Sequence, residues 1–343
     1  MSTHDAQCRT DTDPAATRDA MTVLICGDAP LESDANAEIR GAIGDGWRAV
    51  LAPRGRLLTT SLETAASAID LIRPDLVLCS GSYLPPTAYF GEMAEAARRS
   101  GACTAFWATE DPYEKDASYR IEAHFDAIFT CDHWTRRFYD HPRVFHLPLA
   151  ASPEQHFAAI DPAAERPVDV LFCGVAFANR RQIVDRLLPL LAGLRVAFIG
   201  PGWGSFGGET PGFSDQRVGK SRLIELYTQS KIVLNLGRSL NFENARHQIA
   251  ASTPGPRTFE AAMAGALQFF HEDTPEIRDY FTEDEVPGFS SPHEFRRQLQ
   301  RFLPDPAARL GAAKRAQARA LADHSYAHRA RSLVSTLGHE GLL

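Results

Sequence analysis

Long apolar runs are missing from the sequence. Stretches such as Leu76–Cys79 and Val196–Ile199 are far shorter than the ~18 residues of a membrane-spanning helix. Positive charge is also in deficit, because 36 Lys and Arg against 43 Asp and Glu give a net charge of −7. A general binder of nucleic acid or membrane surfaces is normally basic. We therefore expect no membrane span and no nucleic-acid partner, although a local basic patch can still bind a small anion such as a nucleotide.

Cysteine is scarce, and its spacing lacks the C-x-x-C pairs of metal and redox sites. The pattern predicts buried, reduced thiols in a cytoplasmic protein rather than a disulfide framework. The six cysteines lie at positions 8, 26, 79, 103, 131 and 173. Residues 1–20 are polar and have no apolar centre of the kind found in a signal peptide. We expect them to form a disordered tail before a folded region that begins at Met21.

The 343 residues exceed the ~250–300 at which a single core stops growing, so two domains are expected. Apolar strand patterns alternate with helical ones from Thr22 to Leu147, and again from Asp169 to Phe270. This alternation predicts parallel sheets covered on both faces. A proline-containing stretch interrupts it. We predict an α/β protein with a Rossmann-like domain at 21–152, a linker at 153–168 and a second Rossmann-like domain at 169–320.

A literal G-x-G-x-x-G occurs at Gly202, Gly204 and Gly207, just after a predicted strand at Leu194–Gly200. In a dinucleotide-binding fold such a turn leads directly into a helix whose N-terminus holds the pyrophosphate. Here the chain continues with residues typical of a loop, and the first strand is followed only by Gly27-Asp-Ala-Pro. The sequence therefore disfavours an NAD site. Gly202 is expected either to line a ligand cleft or to lie in a plain surface loop.

The segment from Gly174 to Arg181 joins a predicted strand to a predicted helix. Asn179 can cap this helix, and its first turn then carries Arg180 and Arg181. Cations at a helix N-terminus oppose the macrodipole, but with backbone amides they can share the oxygens of a bound phosphate. We interpret the segment as a candidate phosphate site. The alternative is a pair of solvated arginines that cost about a few tenths of a kcal/mol.

The stretch PGPRTFEAAMAGA shows the start and the end of a helix, with Pro256 at its first position and Gly265 after its last. Phe259 lies on the face predicted to be buried. Arg257 and Glu260 are three residues apart and share one side of the first turn. The glutamate can accept hydrogen bonds from a ribose diol, and the arginine can lie beside a diphosphate. The alternative is a salt bridge between the two on a solvated helix.

Other polar residues follow predicted strands, at the carboxyl ends where such folds bind ligands. Asn235 ends one strand. Glu110 and Asp111 follow another, where they can contact a substrate hydroxyl or act as a base, and Asp111 can instead cap a helix. The run Cys131-Asp-His133 ends a third strand, but its spacing matches no standard zinc pattern, so we expect no metal site.

Several segments follow one another along the chain: WATEDPY at 107–113, FDAIFTCD at 125–132, HLPLAASP at 146–153, VDVLFCGVAFANRR at 168–181, LYTQSKIVLNLG at 226–237, PRTFEAAMAGALQFF at 256–270 and HSYAHRA at 324–330. In this order and spacing they resemble the CgeB-like, spore-maturation-type glycosyltransferases. That group is a branch of the group-1 glycosyltransferase superfamily, which has the two-domain GT-B fold.

The resemblance implies a cleft between two Rossmann-like domains, with a nucleotide-sugar donor on the C-terminal domain and an acceptor on the N-terminal one. It implies that Glu260 binds the donor ribose, that Arg257 lies near the diphosphate, and that Arg180 is part of the basic position after the first C-terminal strand. It also implies that residues 321–343 form a helix that packs back on the N-terminal domain. Ser252 stands where the wider superfamily often has a second glutamate.

We therefore predict a metal-independent glycosyltransferase without a bound cofactor, in which Glu110 or Asp111 positions or deprotonates the acceptor. The predicted donor-binding residues are Gly174, Asn179, Arg180, Arg181, Gly202, Asn235, Arg257, Phe259 and Glu260. The alternatives are a non-catalytic nucleotide-sugar-binding or partner protein and a GT-B sugar-nucleotide epimerase. A pyridoxal-type phosphorylase is disfavoured, because only Lys220 and Lys231 of the four lysines lie near the predicted cleft.

Overall fold

The computed structural model describes residues 21–27, 34–208, 211–239 and 242–343. The predicted tail at 1–20, the turn at Asp28–Pro30 and the two residues Glu209 and Thr210 lie outside the described residues. No helix in the described part of the chain combines the length and the apolarity needed to cross a membrane.

The first half of the chain forms a parallel six-stranded sheet in the order β2-β1-β3-β4-β5-β6. Its strands are β1 (Thr22–Gly27), β2 (Arg56–Thr59), β3 (Leu76–Gly81), β4 (Cys103–Ala108), β5 (Ala127–Thr130) and β6 (Val144–His146). The helices of this half are α1 (Asp34–Leu51), α2 (Ala65–Ile72), α3 (Thr87–Ser100) and α4 (Tyr119–Glu122). We call this half the N-terminal domain.

The second half, the C-terminal domain, also forms a parallel six-stranded sheet, in the order β12-β11-β10-β7-β8-β9. The short helix α5 (Pro153–His156) precedes it. Its strands are β7 (Val168–Cys173), β8 (Val196–Ile199), β9 (Phe213–Ser214), β10 (Ser230–Asn235), β11 (Gln268–His271) and β12 (Gly288–Phe289). Its helices are α6 (Ala178–Leu191), α7 (Trp203–Gly207), α8 (Lys220–Thr228), α9 (Pro256–Met263), α10 (Ile277–Tyr280), α11 (Pro292–Phe302) and α12 (Pro306–Asp323), and α13 (Tyr326–His339) ends the chain's regular structure.

The strands are apolar at nearly every position because both faces of each sheet are covered. In β1, Val23 and Ile25 join a buried cluster with Trp47 of α1, whereas Leu24 joins the cluster on the opposite face with Phe90 of α3. This alternation follows the two-residue repeat of a strand. Burial on both sides is typical of an all-parallel sheet. Because the faces are covered, the carboxyl ends of the strands are the part of such a sheet at which ligands bind.

Helix α13 packs on the N-terminal domain although it follows the C-terminal one. Leu333 lies in the buried cluster of the N-terminal sheet, and the Tyr326 ring meets the Trp107 ring edge-on with centroids 6.0 Å apart. Two crossings between the domains run side by side, because the Ala151 amide donates to the His324 carbonyl and the Tyr326 amide donates to the Ala151 carbonyl. The chain therefore joins its two halves twice at one place.

The loop predicted after Gly202 is wrong, since helix α7 begins there with Gly202 as its N-cap. The N–H groups of Gly202 and Gly204 both donate to Asp215 Oδ1, at 2.7 and 2.9 Å. These amides are the donors that a pyrophosphate would need, and a carboxylate of the protein already occupies them. The N–H groups at the start of this short helix are therefore not available to bind a dinucleotide.

The prediction of buried, reduced cysteines is confirmed for the described part of the chain. Five cysteines there are free and buried: 26, 79, 103, 131 and 173. Cys8 lies outside the described residues.

Candidate active site

A cavity of about 760 Å³ lies between the two domains, a volume within the ~300–1,000 Å³ usual for small-ligand sites. It is lined by residues that directly follow β4, β7 and β10, so the carboxyl ends of strands from both sheets face it. A second cavity, of about 220 Å³, is lined by residues such as Arg166, Lys231 and Arg309 and contains none of the predicted site residues. The larger, interdomain cavity is the candidate site.

The interdomain cavity brings together most of the predicted site residues, and three of them lie outside it. The residues that line it are Glu110, Asp111, Gly174, Asn179, Arg180, Asn235, Arg257 and Glu260. Gly202, Arg181 and Phe259 do not line it. Arg181 is exposed, because the next residue along a helix points about 100° away, so only Arg180 faces the cavity.

Arg257 is the second residue of α9 and lies against Gly174, the residue that follows β7. A Cβ at Gly174 would lie 3.0 Å from Arg257 Nη1 and 3.3 Å from Arg180 Nη1. Gly174 also has a φ of +154°, so a side chain there would be strained as well as crowded. Among the described residues, Arg257 has neither a hydrogen bond nor an ion pair for its guanidinium. A cation held in a cavity without a partner is a ready site for an anion.

Arg180 is held in place by backbone carbonyls. Its Nε donates to Leu236 O at 3.2 Å and to Gly237 O at 3.0 Å. Burial, together with the neighbouring Arg257 and Arg238, lowers the pKa of Arg180 from its usual 12.5 to about 10. An anion bound beside these guanidinium groups would stabilise their charged forms.

The predicted cap of α6 by Asn179 is wrong. The N-cap position belongs to Phe177, with no side-chain cap. Asn179 lies inside the first turn, and its Nδ2 donates to Gly237 O at 3.1 Å. Its amide therefore ties α6 to the segment after β10, at the wall of the cavity.

Glu260 lies one turn beyond Arg257 on α9 and faces the same cavity. Its Oε1 is 3.8 Å from Nε2 of His156. Within the described residues it forms no ion pair with Arg257. The alternative of a salt bridge between the two on a solvated helix is therefore wrong. The side chains of α9 instead present a cation and a carboxylate side by side.

Two predicted donor-binding residues support the structure of this wall. Asn235 donates its Nδ2 to Thr258 Oγ1 and to Gln268 Oε1, both at 2.9 Å, which ties β10 to α9 and β11. Phe259 is fully buried and its ring packs on that of Phe281, with centroids 5.9 Å apart. The prediction that Phe259 touches the ligand is therefore wrong, because its side chain points into the core below the cavity.

On the opposite wall, Glu110 is paired across the domains. Arg238 Nη2 is 2.6 Å from Glu110 Oε2, and the Arg238 guanidinium lies over the Tyr113 ring, 3.7 Å from its centroid. Glu110 comes from the N-terminal domain and Arg238 from the loop after β10. The pair therefore links the two walls of the cavity.

Asp111 is held in a buried network rather than free in the cavity. Tyr83 donates to its Oδ1 at 2.6 Å, and Tyr139 and Thr130 donate to its Oδ2 at 2.6 and 2.5 Å. Burial raises the pKa of Asp111 from 3.8 to about 6. The helix cap predicted for Asp111 is wrong, because the next helical turn begins at Lys115 with Glu114 as its N-cap. Three hydroxyl donors occupy its two oxygens, and its catalytic role stays a prediction.

Asp132 and His133 join the two domains. Asp132 Oδ2 accepts from the backbone N–H of Ser252 at 2.6 Å and of Thr253 at 3.1 Å, and His133 Nδ1 lies 2.8 Å from Glu276 Oε1. Ser252, at the position of the second superfamily glutamate, is fully buried at this contact. In the part of the chain that the structure describes, no three His, Cys, Asp or Glu side chains are grouped to hold a metal ion.

Two further cations line the cavity, Lys220 and Arg238. The sequence placed Lys220 near the cleft without giving it a role, and it gave no sign of Arg238; Lys231, also expected there, lines the smaller cavity instead. Lys220 is the first residue of α8, and its Nζ donates to Gln155 Oε1. A lysine in a first helical turn opposes the macrodipole, which is the signal that had marked Arg180. Arg238 follows the carboxyl end of β10, where ligands bind in such sheets.

Comparisons with known proteins agree with this architecture. Residues 180–335, just under half of the chain, match the family model described as "Glycosyl transferase-like". No curated protein matches the sequence. Anabaena HepE, solved in complex with UDP and glucose, is similar in structure with a TM-score of 0.61 at 9% identity, over 93% of this chain and 100% of that one.

Two further solved structures are similar over almost the whole chain. The sucrose-phosphate synthase of Thermosynechococcus elongatus has a TM-score of 0.60 at 9% identity, over 93% of this chain and 98% of its own. A glycosyltransferase from Rickettsia africae has a TM-score of 0.59 at 11% identity, over 93% and 98%. These likenesses confirm the predicted GT-B fold. The finer resemblance to CgeB-like enzymes stays a prediction.

Proposed function

We propose that this protein is a glycosyltransferase that moves a sugar from a nucleoside-diphosphate sugar to an acceptor bound in the interdomain cavity. The observation that carries the proposal is the Arg257 guanidinium, which lines the cavity beside Arg180 and Glu260 without a partner among the described residues. The match of residues 180–335 to a glycosyltransferase model and the UDP complex of a protein with the same fold support a nucleotide-sugar donor.

The donor is placed by the chemistry of the C-terminal wall. Arg257 and Arg180, both close to Gly174, match the charge of a diphosphate, and Glu260 can accept hydrogen bonds from the ribose hydroxyls. The bond between the sugar's anomeric carbon and the terminal phosphate oxygen then breaks, and negative charge develops on the departing nucleoside diphosphate. Fixed guanidinium groups aimed at that charge stabilise it without reorganising, so we propose transfer that needs no metal ion.

The acceptor lies against the N-terminal wall, where Glu110 can accept a hydrogen bond from its hydroxyl or amine. Arg238 holds the Glu110 carboxylate at 2.6 Å, which fixes the direction of the carboxylate. The acceptor atom forms a bond to the anomeric carbon, and its proton passes to the departing phosphate. In this account Glu110 orients the acceptor, and Asp111 supports the wall from within the core.

The test is nucleoside-diphosphate release by the purified protein, with a panel of UDP-, GDP-, ADP- and dTDP-sugars and sugar or amine acceptors, in EDTA. We expect release that depends on an acceptor. Arg257→Ala should abolish it and Arg181→Ala should retain it, because the second variant removes the same charge from outside the cavity. Donor binding without turnover would instead indicate a non-catalytic binding protein. Conversion of the donor to another nucleotide sugar without an acceptor would indicate an epimerase.

A further inference from the structure

Two residues that line the interdomain cavity each have one buried side-chain atom without a hydrogen-bond partner within the described part of the chain. These atoms are Oδ1 of Asn179 and the hydroxyl oxygen of Tyr227. Buried polar atoms are nearly always paired, so an orphaned one beside a cavity marks a place where a ligand atom is expected. Asn179 is already one of the predicted donor-binding residues. Tyr227 has no role in the donor site or in the transfer step proposed above.

Tyr227 lies on the face of α8 that borders the cavity. Lys220, Leu223, Ile224 and Tyr227 all line it, and their spacing of three, four and seven residues is that of one helix face. The Tyr227 side chain is almost fully buried, with 1% of its surface exposed. The helix therefore holds Tyr227 in the wall of the cavity, with its hydroxyl buried there and unpaired.

The surroundings of the hydroxyl determine which ligand atom suits it. Burial raises the pKa of Tyr227 far above its usual 10, although Arg257 opposes the shift, so the phenol is a neutral O–H donor at physiological pH. Arg257 has only N–H donors and cannot accept this hydrogen bond. A donor beside a guanidinium calls for an anionic acceptor that both groups can share.

Two charged groups near Tyr227 indicate which part of the ligand its hydroxyl would contact. Arg257 and Glu260 are both close enough to act on its titration. In the proposed donor site, Arg257 lies at the diphosphate and Glu260 at the ribose. The group that joins these two parts of a nucleoside diphosphate is the phosphate attached to the ribose.

We propose that the Tyr227 hydroxyl donates a hydrogen bond to the phosphate attached to the ribose of the donor, alongside Arg257. This assignment rests on the proposed donor site. It makes Tyr227 a donor-binding residue that contacts the phosphate next to the ribose. This contact does not depend on which sugar the terminal phosphate carries.

The test compares Tyr227→Phe with wild type by calorimetric titration. The first probe is the nucleoside diphosphate that the wild type binds, chosen from UDP, GDP, ADP and dTDP. The other two probes are the corresponding nucleoside monophosphate and nucleoside. Loss of a hydrogen bond to a charged group should weaken the diphosphate and the monophosphate alike, by about tenfold. The affinity for the nucleoside should stay the same. The melting temperature without ligand should not fall, because the variant removes only an unpaired buried hydroxyl.

Tyr326→Phe is the matched control, because the Tyr326 hydroxyl is also buried without a partner but does not line the cavity. It should bind all three probes as the wild type does. Equal affinity of Tyr227→Phe and wild type for the diphosphate would overturn the inference and leave the proposed function standing. A loss confined to the diphosphate, or shared by the nucleoside, would also overturn it. A wild type that binds none of the four diphosphates would overturn the donor site itself, and this contact with it.

Discussion

The two walls of the interdomain cavity differ in how their charges are used. On the C-terminal wall, Arg257 has no partner among the described residues and Arg180 is bonded only to neutral carbonyls. On the N-terminal wall, the Glu110 carboxylate is paired with a guanidinium, and Asp111 accepts from three hydroxyls. The C-terminal wall therefore leaves positive charge for a ligand, whereas these two carboxylates of the N-terminal wall already have partners. The difference separates residues that bind from residues that hold the site in shape.

The largest effect on ligand binding is expected on the C-terminal wall, where the charge of Arg257 has no partner among the described residues. Arg257→Ala should weaken binding of the nucleoside diphosphate about a hundredfold, because it removes charge-assisted contacts in a largely desolvated site. Its melting temperature without ligand should change little, since no partner loses a hydrogen bond. Isothermal titration measures the first and thermal denaturation the second. If the variant unfolds readily but binds nucleotide as the wild type does, Arg257 is structural and the contrast between the walls disappears.

The second largest effect is expected on the N-terminal wall, when Asp111 is replaced. Asp111→Ala should lower the free energy of unfolding by about 2 kcal/mol, because the hydroxyls of Tyr83, Tyr139 and Thr130 lose their shared acceptor. The affinity for nucleotide should stay within about twofold. Chemical denaturation and titration on the same preparation provide both values. A fully stable variant with no transferase activity would show that Asp111 takes part in the reaction after all.

Acidification should lower the free energy of unfolding. The direction of this effect follows from three groups whose pKa values are shifted in the folded protein. Burial lowers the pKa of His146 and of His324 from 6.5 to about 4. For both, the unfolded chain binds protons more readily, so stability is lost as the pH falls from 6.5 towards 4. Burial raises the pKa of Asp111 from 3.8 to about 6, so protonation of this group favours the folded state over pH 6 to 4 and opposes the loss.

Two histidines outweigh one aspartate, so the free energy of unfolding should fall by about 2 kcal/mol between pH 7 and pH 5. Thermal denaturation across this range measures it. His324→Gln should make the dependence shallower. Stability that rises on acidification would show that the Asp111 network, rather than the two histidines, dominates.

The smallest effect is expected for Glu110→Gln. If Glu110 only orients the acceptor, loss of its charge should lower kcat about tenfold and leave the affinity for nucleotide unchanged, because the amide still accepts a hydrogen bond. Steady-state kinetics with a competent donor and acceptor measure this. A loss within the ~10²–10⁴-fold range of a general base would move proton transfer from the departing phosphate to Glu110. The N-terminal wall would then be catalytic rather than supporting.

The fold followed from local patterns. The apolar strand runs and the helical spacing between them predicted two parallel sheets, and Pro256 marked the first position of α9, as the structure shows. Arg257 and Glu260 were found for the same reason, since their spacing on one helical turn can be read directly. Such features depend on neighbours along the chain.

What the sequence did not reveal depends on contacts between distant residues. Tyr83 and Tyr139 reach Asp111 from positions 28 residues away on either side. Asp215 occupies the amides of the glycine-rich segment that resembled a dinucleotide turn. The Ser252 position that departs from the superfamily pattern meets Asp132 of the other domain. No periodicity encodes these pairings, because they form only when the sheets and the two domains assemble.

The most direct test of the central claim is a crystal structure with the nucleoside diphosphate that the protein binds most tightly. The account predicts the diphosphate against Gly174, between the guanidinium groups of Arg180 and Arg257, with the ribose hydroxyls on Glu260. A nucleotide bound in the smaller cavity near Arg166 and Arg309, or in the interdomain cavity with its phosphates away from Arg257, would contradict it.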